Sequence, residues 1–220
     1  MIISPEGHLQ ISPADFQAKL GGSLRRLASE VLLEGTPIAF PSKASHCEYL
    51  EFVAIHLGIH PRNVAVRGSS KIGFSITPDP AKVWMEFNPD SDLDLAIIDP
   101  DYYHFIDREV RKWERRAEDE GTFFRGRERE KYLARRNSRA HYCYRYFDLP
   151  DISCVREHNT ALKESPVEEY CGQARIVTGF IYRDWWSVNG RCEYDLRELK
   201  RGLDRGLLQA GPAIPRVWTP

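Results

Sequence analysis

The chain of 220 residues carries 31 lysines and arginines against 32 aspartates and glutamates, for a formal net charge of −1. This balance predicts no attraction of the whole molecule to nucleic acid or membranes, so any affinity for polyanions must come from a local patch. The length and a hydrophobic content of 42% allow one large domain, or a domain with a small appendage, around a real core.

The five cysteines are scattered, odd in number and without a CxxC pair, which argues against a disulfide framework or a zinc ribbon. A reducing intracellular environment is the simpler interpretation. The N-terminus "MIISPEGHLQISPADF" lacks the pattern of a signal peptide, and no apolar run reaches the roughly 18 residues of a membrane span. We therefore expect a cytoplasmic protein.

The first predicted helix begins with Ser12 as its N-cap and Pro13 at its first position. Apolar residues recur every three or four positions through "ADFQAKLGGSLRRLASEVLLEG", which predicts one apolar face. Gly21 and Gly22 weaken this helix and are expected to split it, and Gly35 is expected to end it.

A capping box of Ser45 and Glu48 predicts the start of a second helix, which Gly58 should end. The run "VAVRG" then predicts a short buried strand, and the alternating "KVWMEF" of residues 82–87 predicts a strand or hairpin arm. The run "DLDLAIID" predicts a further strand ended by Pro100.

Four further helices and one strand are predicted in the second half. The helices cover residues 101–120, 126–139, 166–189 and 194–208, and the aromatic stretch "HYCYRYFDLPDISCV" should contain the strand. The element order favours an α+β or α/β domain with a helical C-terminal section. We place the division at residue 150, with 1–150 as the main domain and 151–220 as the helical section packed on it.

Asp92 and Asp94 lie one residue apart in an otherwise apolar strand, so both are expected on the same face. Two such carboxylates repel each other and are costly there unless a cation neutralises them. Mg²⁺ is commonly held by one or two carboxylates together with the phosphates of a substrate. The pair is therefore a candidate site for Mg²⁺ or Mn²⁺.

The turn "RGSSK" precedes this strand by about one hairpin length. Gly68 allows the backbone to approach a ligand closely, and the hydroxyls and amides of Ser69 and Ser70 suit phosphate oxygens. With Lys71, these residues are the candidate nucleotide-binding group. A phosphate cradle beside a carboxylate metal site suits in-line displacement at a nucleoside triphosphate.

The segments "AVRGSSKIGFS" and "SDLDLAII" together resemble the signature of the DNA polymerase beta-like nucleotidyltransferase superfamily, in particular its small bacterial stand-alone members. Gly68, Ser69, Asp92 and Asp94 stand at the matching positions. The resemblance implies a mixed β-sheet flanked by helices, two divalent metals, and transfer of a nucleoside monophosphate from an NTP such as ATP to RNA, protein or a nucleotide. It also suggests a toxin–antitoxin or phage-defence setting.

The superfamily usually carries a third metal-binding and catalytic carboxylate on a later strand. Asp148 and Asp151 are the candidates here. Asp148 is preferred, and Glu86 is the least favoured alternative. The gap between Ser69 and Asp92 is longer than in the small bacterial members, as if a hairpin had been added. This departure weakens any narrower subfamily assignment.

A basic, aromatic stretch follows residue 122. Cations track a phosphate backbone and aromatic rings stack on unpaired bases, so the stretch is a candidate RNA site. Its arginines could equally grip a triphosphate, or form a solvated helix with aromatic residues in the core. The candidate RNA contacts are Arg125, Arg127, Arg129, Arg135, Arg136 and Arg139.

Two other functions compete with nucleotidyl transfer. One is a catalytically inactive module of the same fold that binds a nucleotide or RNA, or scaffolds a protein partner. The other is an α/β interaction protein without a nucleotide site. The third carboxylate discriminates between catalysis and an inactive module, because catalysis is doubtful if neither Asp148 nor Asp151 approaches Asp92 and Asp94.

Overall fold

A mixed four-stranded sheet organises the protein in the computed structural model, which describes residues 2–3, 8–136, 141–142 and 152–212. Its strands are β3 (Val64–Arg67), β4 (Leu93–Ile98), β5 (His141–Tyr142) and β6 (Val177–Tyr182), in the order β3-β4-β6-β5. β4 runs parallel to β6 and antiparallel to β3, and β5 runs antiparallel to β6. The predicted α+β class and mixed sheet are thus confirmed.

The remaining elements surround this sheet. A small antiparallel pair precedes the first helix, formed by β1 (Ile2–Ile3) and β2 (Leu9–Gln10). A π-helical turn (Ala28–Leu33) and a 3-10 turn (Pro61–Asn63) link longer elements. The α-helices are α1 (Pro13–Lys19), α2 (Leu24–Leu27), α3 (Lys43–Leu57), α4 (Ser69–Ile72), α5 (Pro100–Asp119), α6 (Gly126–Arg136), α7 (Ser153–Lys163), α8 (Val167–Cys171) and α9 (Trp185–Asp204).

Side chains alternate between the two faces of the central strands, and this divides the core into two parts. On β4, Leu93, Leu95 and Ile97 lie on what we call the first face and pack in a core shared with α3, α5 and α7. Ala96 and Ile98 lie on the second face and pack in a core shared with α1, the π-helical turn and α9. Helices therefore cover both faces of the sheet.

The predicted start of the first helix was right, and that of the second was three residues too late. The Ser12 hydroxyl accepts from the Asp15 amide at 3.0 Å and caps α1, which ends at Lys19 before the two glycines. The predicted capping box was wrong. Ser42, three residues before Ser45, caps α3, and its hydroxyl accepts from the Ser45 amide at 3.1 Å.

The segment 82–87 was wrongly predicted as a strand. It forms turns in which Trp84 has a φ of 63°, and only an isolated bridge joins Phe74 to Glu86. The Trp84 ring is buried against Phe16 and Phe74, and its indole N–H donates to the Gln209 carbonyl at 2.8 Å. Burial of this one large side chain outweighs the alternating pattern.

The continuous helix predicted over residues 166–189 was also wrong. It is replaced by α8, the central strand β6 and the first turn of α9, while α7 occupies residues that were not predicted to be helical. Gly172 adopts a φ of 71° and ends α8, and Asp184 caps α9 by accepting from the Ser187 amide at 2.7 Å. The C-terminal section is therefore not purely helical, since it supplies a strand to the sheet.

Two smaller findings concern cysteines and helix character. Cys47, Cys154, Cys171 and Cys192 are free thiols, and the last three are buried. Among the described helices, none is both long and apolar enough to cross a membrane.

Candidate functional site

The turn after β3 brings the chain against a carboxylate of β4. Gly68 precedes the short helix α4 with φ 75° and ψ −153°, a backbone conformation that residues with a side chain rarely adopt. A Cβ built on Gly68 would lie 2.9 Å from Oδ2 of Asp94, closer than such atoms approach. The absence of a side chain at residue 68 is therefore what allows the turn to reach Asp94.

Asp94 stands on the second face, where β4 begins. Its cross-strand partners are Arg67 on β3 and Thr178 on β6, and the Thr178 hydroxyl donates to Oδ1 of Asp94 at 2.5 Å. We call Arg67, Asp94 and Thr178 the polar end of the second face. Asp92 is half-buried in the segment just before β4.

The turn residues divide between the cavity and the interior. Gly68 and Ser69 line a cavity, whereas Ser70 and Lys71 are buried on the protein side. The Ser70 hydroxyl donates to the Arg67 carbonyl at 2.8 Å, and the Lys71 ammonium donates to the Gly35 carbonyl. Burial lowers the pKa of Lys71 to about 8. These contacts give Ser70 and Lys71 a role in holding the turn.

Arg67 is the hub of the polar end. One guanidinium nitrogen donates to the Tyr182 hydroxyl, and the other lies 3.2 Å from Asp195 on α9. Burial would lower the pKa of Arg67, but the facing acidic groups, Tyr182 foremost, hold it above its ordinary value. Burial in turn raises the pKa of Tyr182 to about 12, against the opposing effect of Arg67. Arg67 therefore stays charged and fixed beside Asp94.

Arg191 completes this network from α9. Its Nη2 lies 3.0 Å from Oδ1 of Asp195, so one carboxylate joins Arg191 and Arg67. Sequence reasoning missed Asp195 and both arginines as site residues. The spacing of Arg191 and Asp195, four residues apart on a helix, was a usable signal, but only the tertiary fold shows that this pair faces Arg67.

These groups open onto a cavity of about 1140 Å³ between the sheet, α9 and the loop after α4. Four arginines and three carboxylates line it together with the turn. Such a mixture suits a ligand that bears phosphates and is bound with a cation. The charged lining residues are Arg67, Asp94, Arg191, Asp195, Glu198, Arg201 and Arg205.

The third carboxylate predicted at Asp148 or Asp151 lies outside the described residues, as do the adjoining positions. On β6, the position opposite Asp94 is occupied by Thr178. Within the described part of the chain, no group of three or more acidic, histidine or cysteine side chains is arranged to hold a metal ion. The third ligand therefore stays a prediction.

The loop before Asp92 is held by a residue that the sequence did not single out. Arg175 Nη1 donates to the carbonyls of Asn88 and Ser91 at 2.6 and 3.1 Å, and its guanidinium lies 4.2 Å from the Phe87 ring. Three contacts from one side chain fix the approach of the chain to the carboxylates.

The predicted RNA contacts fall partly within α6 and its surroundings. Arg125 donates to the Gly121 carbonyl at 3.0 Å, and Arg129 lies 3.6 Å from Glu118, while Arg127 is exposed. Two interleaved aromatic residues, Phe123 and Tyr132, are buried in the core. The side chains of Arg135 and Arg136, and all of Arg139, lie outside the described residues, so RNA binding here stays a prediction.

Comparisons of the chain with models of protein families, with curated proteins and with solved structures found no match.

Proposed function

We propose that the chain is a nucleotidyltransferase that uses a divalent cation, and that its nucleoside triphosphate site is the cavity at Gly68 and Asp94. The observation that carries this proposal is the close approach of a side-chain-free turn to a carboxylate on the neighbouring strand. An exposed structural strand does not need this approach. A phosphate group that contacts both backbone amides and a cation bound to a carboxylate does need the turn and the carboxylate to lie close together.

The donor chemistry of the site fits magnesium or manganese. Oδ1 of Asp94 accepts from Thr178, while Oδ2 faces the Gly68 turn. Asp92 would add a second carboxylate from two residues earlier in an extended segment. Because Mg²⁺ is commonly held by one or two carboxylates plus substrate phosphates, this pair suffices without a complete protein cage. When bound, the cation would polarise the α-phosphate and stabilise the charge of the leaving pyrophosphate.

The residues of the chain would position the reactants. Ser69 and the Gly68 turn hold the triphosphate, and Arg67 and Arg191 offset its negative charge. The oxygen of an acceptor hydroxyl forms a bond to the α-phosphorus as the bond from that phosphorus to the bridging oxygen breaks. Pyrophosphate leaves, and the hydroxyl proton passes to a carboxylate, the role expected of Asp148 or Asp151.

A second candidate is an inactive module that binds a nucleotide through the same cavity. Thr178 favours it, because this neutral side chain occupies the strand position opposite Asp94. Asp195 favours it too, since this carboxylate is engaged by Arg67 and Arg191. Such a module would bind nucleoside triphosphates and transfer nothing.

The test is incubation with nucleoside triphosphates labelled at the α-phosphate, with Mg²⁺ or Mn²⁺ and with total RNA or protein as acceptor. We expect label transfer that an Asp92→Ala, Asp94→Ala variant loses. The matched control is Asp90→Ala, Asp119→Ala, because both of these aspartates are exposed and the charge change is the same. Equal labelling by the two variants would exclude the proposed site. Nucleotide binding without transfer would support the inactive module.

A further inference from the structure

The cavity extends well beyond the polar end of the second face. Its volume of about 1140 Å³ exceeds the roughly 300–1,000 Å³ typical of a site for one small ligand. Lining residues of α9 and its C-cap run from Arg191 to Arg205, a span of about 21 Å at about 1.5 Å per helical residue. Asp195, near the start of this span, contacts Arg67 beside Asp94, so the span from there to Arg205 has room for a second ligand.

The part of the cavity along Tyr194 to Arg205, which we call its α9 side, begins beside the Arg191–Asp195 pair and combines an aromatic ring with arginines. Tyr194 is 49% exposed and lines the cavity beside Arg191, whose guanidinium lies 5.4 Å from its ring. Arg201 is paired with Glu198 at 2.6 Å in an exposed ion pair, which solvent weakens. Arg205 is exposed, and its side chain forms no ion pair with any other residue in the described part of the chain.

An apolar wall belongs to the same cavity. It is formed by the loop after α4 and the segment after α9, through Ile76, Pro78, Pro80 and Leu207. An exposed ring, apolar neighbours and arginines with spare donors suit a flat base joined to phosphates. A duplex does not present its bases in this way, because they are stacked inside it.

We propose that the α9 side of the cavity binds the unpaired end of a nucleic acid strand, with a base stacked on Tyr194 and the adjoining phosphates bound by Arg201 and Arg205. The identification of this strand as the acceptor rests on the proposed function, whereas its binding does not. The proposal places nucleic acid on α9, a different surface from the arginines of α6.

The test measures fluorescence anisotropy of a short labelled single-stranded RNA of mixed sequence, alone and annealed into a blunt duplex. We expect the wild-type protein to bind the single-stranded RNA more tightly than the duplex, because only the single strand presents unstacked bases. Tyr194→Ala should weaken binding of the single strand about tenfold, the order of one lost stacking contact, and Tyr194→Phe should preserve it.

Charge is tested with Arg201→Gln, Arg205→Gln, which should weaken binding and reduce the slope of log affinity against log salt by about 1.4, for two phosphates at about 0.7 each. The matched control is Arg108→Gln, Arg197→Gln, because these exposed arginines are ion-paired to Glu109 and Glu193 and do not line the cavity. All the substituted side chains are exposed, and circular dichroism checks the fold.

The proposal is overturned if wild-type protein does not bind the single strand, if Tyr194→Ala binds like wild type, or if the two arginine pairs have equal effects. The label-transfer assay decides the proposed function separately. RNA binding through α9 without label transfer would support this inference and reject nucleotidyl transfer. Label transfer to protein without RNA binding would do the reverse.

Discussion

The two faces of the central strand β4 differ where the strand begins. On the first face, Leu93, Leu95 and Ile97 of β4 are completely buried among other apolar side chains. On the second face, Ala96 and Ile98 are equally buried, but Asp94 replaces the third apolar residue. Burying a charged group costs stability unless it is paired, so the second face departs from the packing rule where the first obeys it.

A glycine at the first face and a glycine in the turn beside the second face each have a position where a Cβ would be forced against a neighbour. At Gly179 of β6 the Cβ would lie 2.4 Å from Leu162 Cδ1, and at Gly68 it would lie 2.9 Å from the Asp94 carboxylate. The first glycine makes room for an apolar helix, and the second makes room for a charged oxygen. Close approach therefore serves packing on the first face, whereas beside the second face it brings a turn of the backbone against a carboxylate.

The largest expected effect concerns acid and the first face. His158 of α7 is buried, and its Nδ1 lies 2.9 Å from the Tyr102 hydroxyl. Burial lowers the pKa of His158 to about 4, against a raising interaction with the backbone of Gly179. The unfolded chain takes up this proton near pH 6.5, whereas the folded chain does so only near pH 4. Stability is therefore full above about pH 6.5 and falls by about 3 kcal/mol as the pH falls to 4.

Urea unfolding between pH 7.5 and 4.5 checks this expectation. Burial also lowers the pKa of His46 to about 4, so His158→Leu should remove part of the pH dependence and not all of it. The control His56→Leu changes an exposed histidine and should leave the dependence intact. An unchanged slope in His158→Leu would mean that the buried histidine does not couple the first face to pH.

The second prediction tests the glycine of the second face. Gly68→Ala should push the turn away from Asp94 and lower the rate of label transfer about 100-fold, the usual cost of a displacement of about 1 Å. Gly58→Ala is the matched control, because Gly58 has a similar φ of 67° but no atom within 4 Å of its built Cβ. An equal loss of rate in both variants would contradict a specific role for the close approach.

The sequence predicted the parts of the fold that depend on local chemistry. The Ser12 cap, the split at Gly21 and Gly22, and the left-handed Gly58 at the end of α3 follow from side-chain capping and from the freedom of glycine. The strands β3 and β4 follow from short apolar runs with β-branched residues. Gly68 and Asp94 could be associated in advance because their segments resemble one family motif, and the structure places Gly68 in the turn after β3 and Asp94 on the neighbouring β4.

The strand β6 could not be predicted in the same way. It is central and parallel to β4, so its residues are largely apolar on both faces and the alternating period is lost. Val177, Ile181 and Trp185 happen to recur at helical spacing, which favoured a helix. The β-branched run "VTGFIY" and the glycine within it were contrary signals. Missing β6 also concealed Thr178, the partner of Asp94.

The third prediction returns to the first face. Gly179→Ala should lower the free energy of unfolding by about 2 kcal/mol, because the new methyl group overpacks against Leu162 and the ring of His158. The rate of transfer per folded molecule should not change. Chemical denaturation and the label assay measure the two effects, and a loss of activity without a loss of stability would break the distinction between the faces.

The smallest expected effect concerns the loop that leads into the polar end. Arg175→Lys should lose part of this hydrogen bonding, because one ammonium cannot replace both Nη1, which donates to the carbonyls of Asn88 and Ser91, and Nη2, which donates to the Gln173 side chain. We expect a stability loss of about 1 kcal/mol and a label-transfer rate about tenfold lower, since Asp92 follows this loop directly. Arg183→Lys makes the same replacement at an exposed ion pair with Asp184 and should change neither quantity. Because the guanidinium holds the backbone before Asp92 and does not line the cavity, Arg175→Lys should lower the rate with nucleotide affinity nearly unchanged. A weaker affinity at an unchanged rate would instead show that this loop contacts the nucleotide.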